Sequence, residues 1–244
     1  ITQNYFEVHH APYISLPLLQ KYYIDGDLDY LFSYRSEIHK IFKGMEKFKD
    51  AEGYYHWALD ESGLVDDALV TSSCSLELSR RAYNKICELI NDEKYIISEE
   101  IISTNKLRSK KFDRGGISRA RFSMDSYYPI LCNCGTKEDA NKLLNKFYVN
   151  GLGIKCVEEE PWVTFAESSE CIMALHKIGL LEEAKKIFNE ILKHKNIKGY
   201  FPTGYQYDLE VYWPEEDSTW TNAAIIMAAD CLYDMTGKEK VILI

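Results

Sequence analysis

Five stretches of this chain follow one pattern: an aromatic- and glycine-rich loop, a polar or acidic residue, then an amphipathic helical run. Four are regular: Val70–Tyr83 (VTSSCSLELSRRAY), Ser123–Cys132 (SMDSYYPILC), Val163–Ile178 (VTFAESSECIMALHKI) and Ser218–Tyr233 (STWTNAAIIMAADCLY). Tyr5–Tyr23 is the fifth and least regular. Charged helical runs such as Lys137–Tyr148 and Leu181–Lys193 lie between them. Apolar and charged helices alternating at a period of roughly 40–60 residues predict stacked helical hairpins whose repeats bury one another's faces. The expected class is all-α, and if the roughly five apolar helices form an inner ring, their polar starts gather at one mouth.

Further helices are expected at Leu28–Phe48, from its apolar spacing, and at Glu93–Asn105 as an outer partner. Thr71 or Ser72 is placed to cap the helix that follows, and Gly179 to end the one before it. The stretch Gly199–Asp217 is too rich in aromatic and special residues to be mere spacer. No linker or low-complexity segment divides the 244 residues, so one domain over 1–244 is expected. The chain opens at Ile1 without Met, which suggests that N-terminal hairpins are missing.

A net charge of −9 disfavours nucleic acid, and no apolar run is long enough to span a bilayer. Seven scattered cysteines without a CxxC pair suggest neither a disulfide framework nor a zinc ribbon, and a reducing cytoplasm is the expected home. No cofactor motif is found. His9 and His10 are adjacent, so on a helix they would not face one point, and no metal is expected.

The phrases DALVTSSCSLELS (Asp67–Ser79), RFSMDSYYPIL (Arg121–Leu131), GLGIKCVEEEPWVTFAESSECIMALHKIG (Gly151–Gly179) and WPEEDSTWTNAAIIMAADCL (Trp213–Leu232) resemble a family of bacterial and archaeal proteins labelled prenyltransferase-like or terpenoid-cyclase-like α/α toroids. The resemblance covers most of the chain. It implies a barrel of paired helices, an architecture shared with six-hairpin sugar-cleaving enzymes, and longer N-termini. The chain lacks the DxDD acid motif and QW repeats of the cyclases and the Asp/Cys/His zinc set of protein prenyltransferases. A toroid alone does not specify chemistry.

The chemical candidates are carboxylates at the starts of inner helices. Asp125 opens one helix beside Tyr127 and Tyr128, and Glu167 and Glu170 share a face near the start of another. These three are the expected catalytic residues. Asp125 could also be a helix cap, and Glu170 a buried partner for Arg119 or Arg121. Glu215, Glu216 and Asp217 precede the last helix and either face substrate or form a solvated turn. Two carboxylates across a cavity are the minimum for glycoside cleavage. Trp57, Trp162, Tyr205, Trp213 and Trp220, with Tyr127 and Tyr128, could carry sugar rings, an isoprenoid tail or ordinary hairpin packing. His56, between Tyr55 and Trp57, is a lone proton-transfer candidate.

Three readings follow. The first is an enzyme acting on a carbohydrate or glycosylated small molecule by carboxylate acid–base chemistry. The others are an isoprenoid- or lipid-handling protein and a non-catalytic helical scaffold for a protein partner.

Overall fold

The computed structural model describes residues 5–216 and 218–244. Helices dominate these residues, and none is long and apolar enough to cross a membrane. Contacts group the chain into two compact units. One runs to Arg119 and takes in Lys238–Ile244; the other is Ala120–Gly237.

Among the described residues, the first unit contains four α-helices: α1 (Ser15–Asp25), α2 (Leu28–Ser33), α3 (Arg35–Met45) and α4 (Val70–Leu89). The expected helix at 28–48 is therefore broken at Tyr34. Left-handed Gly26 ends α1, and Asp27 caps α2 by accepting the Tyr30 N–H at 2.9 Å. A small antiparallel sheet joins β1 (Phe6–Glu7), β2 (Ala58–Asp60) and β3 (Gly63–Leu64) in that order. Val8, Met45, Phe48, Tyr55, Leu76 and Ile101 make a shared apolar cluster. Leu69, not Thr71 or Ser72, stands at the cap of α4, and no side chain closes that helix end.

No helix forms at 93–105, where only a 3-10 turn at Glu93–Tyr95 precedes irregular chain. The reason lies on one face of α4. Asn84 accepts the Ile97 N–H at 2.9 Å, Arg80 Nη1 donates to the Ile97 carbonyl at 2.6 Å, and Glu77 Oε2 accepts the Ile101 N–H at 3.0 Å. These side chains take the backbone groups that a helical ladder would need. Glu77 is fully buried; burial pushes its carboxyl up, but Arg80, the Ile101 N–H and Arg81 outweigh this and hold it below the usual range.

The second unit contains α5 (Met124–Leu131), α6 (Lys137–Phe147), α7 (Phe165–Lys177), α8 (Leu181–Ile191) and α9 (Thr219–Tyr233). Helix α7 is central and packs against α5, α8 and α9. Thr136 and Asp139 form a reciprocal capping box on α6, and Ser218 caps α9 by accepting the Thr221 N–H. Gly179, in the left-handed region, closes the turn after α7 as expected. Ala224 and Ala228 are buried on α9.

A five-stranded antiparallel sheet was not foreseen. Its strands are β4 (Tyr148–Val149), β5 (Gly153–Lys155), β6 (Trp162–Thr164), β7 (Gly204–Gln206) and β8 (Val211–Tyr212), paired in chain order. Strand β6 runs directly into α7, so the sheet places the start of that helix. Ser168 reinforces the junction, with Oγ accepting the Ile154 N–H at 2.9 Å and donating to the Thr164 carbonyl at 2.6 Å.

Candidate functional site

The second unit carries most of the expected site residues, and four of them, Glu167, Glu170, Tyr127 and Tyr128, gather around the first two turns of α7. Glu167 lies in the first turn and is part-buried; Glu170, one turn further, is buried. The Thr164 hydroxyl donates to Oε2 of Glu167 from the last residue of β6. Burial pushes the Glu167 carboxyl above the usual range, opposed by hydrogen bonds from Thr164 and Cys156. Its hydrogen-bond partner Cys156 has its own thiol pushed upward, by burial first and by the Glu167 charge second.

Among the described residues, the partners of Glu170 are tyrosines and not an arginine. Tyr127 donates to its Oε2 at 2.6 Å and Tyr128 to its Oε1 at 3.0 Å, both from α5. Arg121 instead pairs with Glu159. Burial pushes Glu170 up to about 7; the two hydroxyls pull it down and the Glu167 charge adds to the rise. Tyr127 and Tyr128, expected among the substrate-contacting aromatics, are buried and spend their hydroxyls on this carboxyl. Two carboxyls on one helix face do not ionise together readily, which favours keeping a proton in the pair.

Asp125 lies in the first turn of α5 and is part-buried, but Ser123 occupies the cap position. The Ser123 N–H donates to the Cys156 carbonyl at 3.0 Å, and Phe122 bridges to Val157. The start of α5 is thereby tied to the loop that carries the Glu167 partner.

A third carboxyl is linked to the same strand–helix junction through Thr203. Thr164 pairs with Gly204 across the β6–β7 ladder, and the Phe165 N–H donates to the Thr203 carbonyl at 3.1 Å. The Thr203 hydroxyl donates to Oε1 of Glu216 at 2.9 Å. Glu167 and Glu216 are each anchored to a threonine at the end of this ladder. Glu215 is exposed beside Glu216, and Asp217 lies outside the described residues.

Aromatic side chains flank the ladder. Trp162 donates its indole N–H to the Trp213 carbonyl at 3.0 Å, and the two rings meet edge to face with centroids 5.4 Å apart. Trp213 is 58% exposed and Trp220 61%. The Tyr205 and Tyr212 rings are tilted against each other with centroids 5.1 Å apart, and His194 touches both. Gly204 has no room for a side chain, since a Cβ would lie 2.5 Å from the Val163 carbonyl and 2.6 Å from Trp162 Nε1. The hairpin of β7 and β8 can therefore press against Trp162.

His56 and Trp57 belong to the other unit. His56 Nδ1 lies 2.7 Å from the Val65 carbonyl, which can only accept, so that nitrogen carries a proton and fixes the loop. Trp57 is 4% exposed, packed against Tyr5 and beneath the Arg114 guanidinium, and is a core residue instead of an open platform.

The described residues thus combine helices with ionisable groups near their starts. Solved structures agree on the fold. The chain superimposes on a D-mannose isomerase with TM-score 0.63 at 8% identity, covering 96% of this chain and 72% of that one. A sugar epimerase from a ruminal bacterium gives 0.62 at 12% identity over 98% of this chain and 73% of that one. An alpha-amylase from Clostridium perfringens gives 0.61 at 11% identity over 98% and 74%.

In sequence, the chain is similar to the MMP endo-(1,4)-3-O-methyl-alpha-D-mannosidase of Mycolicibacterium hassiacum, 35% identical over 186 residues. That alignment takes in 74% of this chain and 51% of the relative, so the chain spans about half the relative's length. No family model matches the chain. These comparisons support the toroid architecture and not the prenyltransferase-like label.

Proposed function

We propose that the protein carrying this chain is a glycoside hydrolase acting on an α-linked mannooligosaccharide, with Glu167 as general acid and Glu216 as general base. The observation that carries the reading is Glu167 itself. It is a part-exposed carboxyl with a raised pKa, held at the start of α7 by Thr164 and Cys156. A general acid must keep its proton near working pH and still reach solvent-borne substrate. Burial moves the Glu167 carboxyl in the direction an acid needs, and the residue stays part-exposed at the start of α7.

In the proposed step, Glu167 gives its proton to the glycosidic oxygen as the bond from that oxygen to the anomeric carbon breaks. Glu216 takes a proton from the water whose oxygen bonds to that carbon. The exposed rings of Trp213 and Trp220 offer apolar faces for pyranose rings. Glu170, fixed by two tyrosines, acts as a positioning residue behind Glu167. The substrate class rests on the name of the M. hassiacum relative, which specifies (1,4)-linked 3-O-methyl-α-D-mannose units. The seven cysteines are all free thiols, which suits a reducing compartment such as the cytoplasm.

The test is incubation of the intact gene product with α-(1,4)-linked mannooligosaccharides, with and without 3-O-methylation, followed by chromatography of the products. Shorter oligosaccharides are expected. Intact substrate after exhaustive incubation with folded protein would overturn the reading.

A further inference from the structure

Glu7, His9 and His10 form a cluster in the first unit that the proposed chemistry does not use. The two histidines do not lie on a helix: β1 ends at Glu7 and the chain turns through residues 8–11. Two anchors shape that turn. Val8 is fully buried and its N–H donates to the Trp57 carbonyl at 3.0 Å, while the His10 N–H donates back to the Glu7 carbonyl at 3.3 Å. Adjacent side chains that a helix would splay apart are drawn together, with the imidazole centroids 4.4 Å apart.

The donor atoms of all three residues lie within 4.8 Å of one another. Oε2 of Glu7 is 3.8 Å from His9 Nε2 and 3.6 Å from His10 Nε2. These separations are too long for hydrogen bonds. They approach the ~3.3 Å expected between neighbouring ligands of a tetrahedral ion with bonds of about 2.0–2.1 Å. The other ring nitrogen of His9, Nδ1, is buried without a hydrogen-bond partner. A cation on Nε2 would give this part-buried ring a partner on that side and leave Nδ1 as its protonated nitrogen.

The geometry points to a binding site for a first-row divalent cation, zinc foremost, held by Glu7, His9 and His10. Two imidazoles and one carboxylate suit zinc and its neighbours, whereas calcium and magnesium call for oxygen ligands throughout. His10 is 68% exposed, so a fourth position stays open to water. The site ties the end of β1 to the turn before α1.

The test uses untagged, chelator-stripped protein titrated with zinc chloride by calorimetry. One equivalent should bind. His10→Ala, at an exposed ring, and Glu7→Gln should each weaken binding by at least about tenfold, with unchanged near-ultraviolet circular dichroism. Absence of binding overturns the assignment. So does zinc uptake that both variants retain at wild-type affinity, which would belong to the thiols.

Discussion

Glu170 Oε2 lies 2.6 Å from the hydroxyl of Tyr127, a tyrosine with no solvent exposure. The contact joins α5 to α7 and fixes a carboxyl one turn beyond the proposed acid. Its energetic consequence depends on pH.

Glu170 rises from 4.5 to about 7 on folding. A carboxyl whose folded pKa is raised favours the native state while protonated, so its contribution is fully present below 4.5 and is lost as pH rises through 7. The linkage is on the order of 3 kcal/mol. Glu170→Gln removes it. In urea titrations at pH 5 and pH 8, the stability of wild type relative to the variant should fall by about 2–3 kcal/mol. A pH-independent difference would show that Glu170 titrates normally.

The Thr164 hydroxyl pulls the Glu167 pKa down, so Thr164→Val should let it rise. An acid works only while protonated, and activity falls as pH climbs through its pKa. The alkaline limb of the kcat profile should therefore shift to higher pH in the variant. An unmoved limb, or one shifted the other way, would detach Thr164 from the acid.

Gly204→Ala should destabilise the protein, because its Cβ would collide with the Val163 carbonyl and the Trp162 indole. A backbone atom on one side leaves little room for relief, and the expected cost is about 1–3 kcal/mol. Chemical denaturation monitored by tryptophan fluorescence measures it. Unchanged stability would mean that β6 and β7 do not pack this closely.

How much of this was legible depended on the length of each signal. The runs beginning near Val70, Thr164 and Thr219 carry apolar residues over several turns, and α4, α7 and α9 start within a residue or two of those points. Strands β4 to β8 hold two or three residues each, too few for an alternating pattern to show. The sheet was hidden for that reason, and with it the link from Thr164 to Thr203 and Glu216. Glu93–Asn105 misled because its backbone partners come from Glu77, Arg80 and Asn84, contacts that local periodicity does not encode. Glu167 and Glu170 were visible as a pair, but their different surroundings were not. Tyr127 and Tyr128 looked like ligand platforms because aromatic composition does not reveal burial.

The most direct measurement is kcat on an α-(1,4)-linked mannooligosaccharide for Glu167→Gln in the intact gene product. Removing a general acid should lower kcat by roughly 10²–10⁴-fold, with KM and the unfolding midpoint little changed. A folded Glu167→Gln protein that retains wild-type kcat would contradict the assignment of this carboxyl as the acid.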